Sequence, residues 1–123
     1  MAYNKGGKRE DPLRVERNVT IVAGKGPYAT LRFVCQIQGE GRNERVSVLG
    51  VVKENAGDMN SASRAARVMT EKGHPTFVAV AADNKVFLAQ PVESIQGITT
   101  SAVAAFIAGE RRDARANEFR AHH

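Results

Sequence analysis

The sequence predicts an α+β domain. Its core is an antiparallel five-stranded sheet or small open barrel, in the order β-β-β-α-β-β-α, with a flexible basic arm in front and a long helix at the end. Three observations predict it. Between residues 28 and 38, Leu31, Phe33, Cys35 and Ile37 fall at every second position, with Thr30, Arg32, Gln36 and Gln38 between them and Val34 the one exception. Such alternation marks a half-buried strand. Ala62, Ala65, Ala66 and Met69 recur at helical spacing and make a narrow apolar stripe of small residues. Two further apolar runs, 76–82 and 85–90, flank Asp83-Asn84, a short-range hairpin signal.

Taken in order, residues 1–16 read as the arm. Lys5, Lys8 and Arg9 stand among glycines and polar residues with almost no apolar content before Leu13, a composition that does not fold alone. One domain then runs from 17 to 123. Val19 and Ile21 alternate with Thr20 in a short first strand over 17–23, which Gly24-Lys25-Gly26-Pro27 ends. That turn is not a phosphate loop, because no Gly-Lys-Ser/Thr opening a helix follows it. It presents Lys25 in a hairpin turn. The long strand 28–38, the turn cluster 39–43 and the β-branched run 45–52 make the central hairpin.

Asn60 or Ser61 is the expected cap of the first helix. The helix should stop near Lys72, because Gly73 suits the left-handed position and Pro75 follows. The strands around Phe77–Val80 and Val86–Leu88 are apolar on both faces, so they belong mid-sheet or beneath a helix. Thr99, Thr100 or Ser101 caps the last helix, whose apolar face is Ala102, Val103, Phe106 and Ile107. From Glu110 the chain is almost wholly charged apart from alanines and Phe119, which reads as a helix running on into solvent.

The chain of 123 residues suits one domain with a modest core. Eighteen Lys and Arg against thirteen Asp and Glu give a net charge of +5, which suits a polyanionic partner. No apolar run has the length of a membrane span, and the N-terminus lacks a signal peptide's apolar centre, so the expected location is cytoplasmic. The single cysteine rules out an internal disulfide framework. Cys35, in phase with Phe33, reads as core and not as a catalytic thiol. His74 stands in a turn with no second histidine before the tail, so no metal or other cofactor is expected. The carboxylates fall in turns and on solvent faces without a catalytic constellation, and an enzyme is not expected.

The order of elements over residues 17–90 resembles the five-stranded barrel of single-stranded DNA-binding proteins, with Tyr28 the natural stacking residue. It is also similar to the α+β fold of secretion chaperones and to virion assembly subunits, in which a basic arm faces packaged nucleic acid. The expected function is non-enzymatic binding of DNA or RNA, single-stranded or read without sequence preference. Lys5, Lys8, Arg9, Lys25, Arg32 and Arg45 would meet phosphates, Gln36 would add hydrogen bonds, and Tyr28 would stack. The alternative is a protein-binding adaptor or assembly subunit, in which Phe119 packs on its own domain or on a second copy in a homo-oligomer.

Overall fold

The computed structural model describes residues 13–121. The strands are β1 (Val15–Ala23), β2 (Arg32–Gln38), β3 (Arg45–Ala56), β4 (Phe77–Ala81) and β5 (Val86–Gln90); the helices are α1 (Met59–Glu71), between β3 and β4, and α2 (Thr100–Ala121). The order of elements is the expected one. The five strands close into a barrel in the order β1-β2-β3-β5-β4. Two details differ from expectation: the sheet is closed, and it is mixed, because β1 pairs with β4 in parallel while the other neighbours are antiparallel. The reason is α1. Thirteen residues of helix rise about 20 Å, so α1 carries the chain back along the barrel and β4 starts at the same end as β1. Helical crossovers are the usual source of parallel pairs.

The barrel curves at three register shifts, at Arg17/Val19, Val34/Cys35 and Val52/Glu54. Asn18, at the first, has φ 58°. The interior is small: Val19, Val34, Phe77, Ala79, Phe87 and Ala89 fill it. Val34 breaks the alternation of β2 because its side of the strand is buried too, inside the barrel. Gly50 makes room for Phe77, since a Cβ there would lie 2.8 Å from the Phe77 ring and 2.4 Å from the Gln90 carbonyl oxygen.

Each helix covers one outer face. The in-phase residues Phe33 and Cys35 join Val48, Val51, Val103 and Ile107 under α2, with Leu31 and Ile37 packed at the margin. Ala62 and Ala66 of α1 lie on Val78, Val80, Val86 and Leu88. β4 and β5 are thus apolar on both sides, as expected, with the barrel interior on one and α1 on the other.

Local chemistry shifts several boundaries. β1 begins at Val15, within the expected arm, because Val15 and Glu16 pair with Val78 and Ala79. Tyr28 does not open β2. Pro27 helps set a 3₁₀ turn over Gly26–Tyr28, and β2 starts at Arg32. The cap of α1 is Asp58, not Asn60 or Ser61: its Oδ1 accepts from the Ser61 amide at 2.9 Å, and hydrogen bonds from Ser61 hold its carboxyl below the usual value. Gly73 ends that helix with φ 91°. Thr99 caps α2, accepting from the Ala102 amide at 3.3 Å, and Ala102 itself is exposed, not part of the packed face. The β4–β5 loop takes three residues instead of two. Asn84 donates to the Ala81 carbonyl and adopts φ 68°, a turn followed by a left-handed residue.

Candidate nucleic-acid interface

β2 and β3 outrun the barrel. β1 pairs with β2 only over Arg32 to Cys35, and β3 meets β5 only from Val51. Beyond those rungs, Gln36 to Gln38 and Arg45 to Ser47 pair with each other alone, as a two-stranded ribbon. Side chains alternate between its faces. Ile37 opposite Val46 faces the core under α2. Gln36 opposite Ser47 and Gln38 opposite Arg45 share the other face. On that face Gln36 is half-buried, and Gln38, Arg45 and Ser47 are exposed.

An isolated two-stranded hairpin is marginal in water, and α2 supports this one. Val103, Ile107, Arg111 and Arg115 follow each other at steps of four. The first two pack on the barrel; the next two reach Glu44 at the base of the ribbon's turn. Arg111 Nε and Nη2 donate to the two Glu44 carboxylate oxygens at 2.8 and 2.9 Å, and Arg115 Nη1 adds a third bond at 2.8 Å. The Glu44 side chain is 13% exposed. The Arg111 hydrogen bonds, and then the charges of both arginines, hold its carboxyl at about 2 against the opposing effect of burial. The same bonds push the Arg111 guanidinium up. The charged half of α2, expected to be merely solvated, is therefore a clamp. Its one sequence signal is the continuation of the Val103–Ile107 spacing into Arg111 and Arg115.

The clamp takes up Glu44 on the α2 side. Among the described residues, neither Arg45 on the open face nor Arg42 in the turn is ion-paired; Arg42 was not singled out by sequence reasoning, nor was Ser47. The other expected contact residues lie elsewhere. Arg32 is four positions from Gln36, roughly 13 Å along a strand, with Val34 filling the barrel between them. It sits at the opposite end, where its Nη2 donates to Asn55 Oδ1 at 3.2 Å and its guanidinium lies 5.9 Å from the Phe87 ring centre. Lys25 pairs with Glu110 of α2 at 3.4 Å. Tyr28 packs edge-on against Phe33 and Phe106, with ring centres at 5.8 and 5.2 Å, so its ring is engaged in the core margin and offers no stacking face. Lys5, Lys8 and Arg9 lie outside the described residues. Phe119 lies near the end of α2 and is 63% exposed.

Burial pushes the Cys35 thiol up to about 11, partly opposed by the charge of Arg111, so it is protonated and unreactive at neutral pH. No group of three or more His, Cys, Asp or Glu converges among the described residues. No helix is long and apolar enough to cross a membrane. A shallow depression on the outward side of α1 is lined by Asn60, Ser63, Arg64, Arg67, Val68 and Glu71, all from that one helix.

No family model, curated protein or solved structure matches the chain.

Proposed function

We propose that this protein is a non-enzymatic nucleic-acid-binding protein whose contact surface is the open face of the β2–β3 ribbon. One observation carries the reading: α2 covers one face of the ribbon and takes up Glu44, leaving the opposite face polar, with Arg45 and the nearby Arg42 unpaired by carboxylates among the described residues. Arginines of this kind release counterions from a phosphate backbone and give affinity without sequence preference. The net charge of +5 and the lysines and arginine of the first nine residues favour the same class of partner. Arg32, Lys25 and Tyr28 drop out of the contact set, since each is engaged away from the ribbon's open face.

Fluorescence anisotropy with labelled DNA and RNA at low and moderate salt tests the proposal. Binding should be salt-sensitive. Arg42→Ala with Arg45→Ala should weaken it and reduce the log–log salt slope by about 1.4 to 1.8, for two lost phosphate contacts. Unchanged affinity in the folded double variant would remove this face from consideration.

A second reading, an assembly subunit that forms homo-oligomers or binds a protein, is favoured by the large exposed ring of Phe119 on α2. Light scattering of Phe119→Ser against the parent chain separates the two readings, because the ribbon proposal requires no change in oligomeric state.

A further inference from the structure

The open ribbon face has dimensions and chemistry that select one form of nucleic acid. It is two strands wide, and the major groove of B-form DNA, about 12 Å across, admits a two-stranded ribbon. Side chains two apart on a strand are spaced about 6.7 Å, close to two base-pair steps of 3.4 Å. Gln36 and Gln38 on β2, with Ser47 and Arg45 opposite them on β3, therefore form a grid at base-pair spacing. Its residue types are the ones that read base edges: Gln bonds adenine in bidentate fashion, Arg bonds guanine, and Ser accepts or donates to either. Arg42, in the turn, is placed to reach a phosphate at the groove wall. The turn also holds Glu40, the ribbon's one carboxylate not taken up by α2, which disfavours close approach of the tip itself. The back of the ribbon is held by Arg111 and Arg115, so the face is presented on a rigid support. Single strands are recognised chiefly by stacking on aromatic rings, and Tyr28 is spent between Phe33 and Phe106. The major groove of A-form RNA is too deep and narrow for side chains to read.

We propose that the ribbon lies face-on in the major groove of double-stranded DNA, with Gln38, Arg45 and Ser47 against base edges and Arg42 on the backbone. This rests on the nucleic-acid reading above and specifies its ligand. The test has two arms. Anisotropy at fixed salt compares duplex DNA, each of its single strands and duplex RNA of the same sequence. Selection from a randomised duplex pool then asks for a motif. Duplex DNA should bind about tenfold or more tighter than the other forms, and the pool should converge on a short motif. Gln38→Ala should lower discrimination at one position of the motif by about fivefold or more, while Arg42→Ala weakens every sequence equally. Both positions are exposed, and circular dichroism confirms that the variants fold. Equal or tighter binding of single strands, or a pool that does not converge, overturns the proposal while leaving the broader reading in place. Absence of binding to any nucleic acid at low salt overturns both.

Discussion

Replacing Glu44 with Gln should release the ribbon without unfolding the barrel. The carboxylate accepts three charge-assisted bonds from Arg111 and Arg115, and its value falls from 4.5 to about 2. That fall corresponds to roughly 3 kcal/mol of folding stability at neutral pH. The two arginine side chains are 37% and 40% exposed, and screening by water reduces the expected loss to about 2 kcal/mol. The folded value lies below the unfolded one, so the contribution is complete above about pH 4.5 and disappears as pH falls towards 2. Urea titrations of parent and Glu44→Gln should therefore differ by about 2 kcal/mol at pH 7 and converge near pH 2. Amide exchange should accelerate over residues 36–47 and stay unchanged in β4 and β5. Equal stability at pH 7, or a difference that persists at pH 2, would refute the clamp.

Three further outcomes follow from the packing. Phe33→Ala removes a fully buried ring beneath α2 and should lower stability by about 3–5 kcal/mol in chemical denaturation. Gly50→Ala drives a methyl against the Gln90 carbonyl and the Phe77 ring and should destabilise by about 1–3 kcal/mol, seen as a lowered Tm. Cys35, raised from 9.0 to about 11, should resist thiol reagents in the folded protein at pH 8 and react once urea unfolds it. Its contribution to stability is whole below pH 9 and is lost as pH rises towards 11.

What was legible in the chain was local. Phe33 and Cys35 stand in phase on one strand, and Ala62 and Ala66 on one turn of helix, so periodicity alone assigned their faces. Asp58 was passed over as a cap because Asn60 and Ser61, two equally good cap residues, follow it within three positions. The closure of the sheet depends on Val15 meeting Val78, and no pattern within either segment encodes that meeting. The candidate site divides in the same way. Gln36 and Arg45 share a face because hairpin register keeps them together. Arg32 has the right parity but the wrong end of the barrel, which alternation cannot distinguish. The Glu44 clamp joins residues 67 and 71 positions apart, beyond any local rule.

The parallel seam between β1 and β4 also sets a schedule for synthesis. β1, β2 and β3 can pair as soon as each emerges, but the first rungs of β1 have no partner until Phe77 to Ala81 leave the ribosome. Contacts of such long separation form slowly. Until then Val15 to Arg17 remain an open strand edge, the kind of surface through which nascent chains associate. The early part of β1 carries Arg14, Glu16 and Arg17 at this edge, and charged residues on an exposed edge discourage pairing with other chains. The same residues that open the barrel's seam thus protect the chain during the interval before it closes.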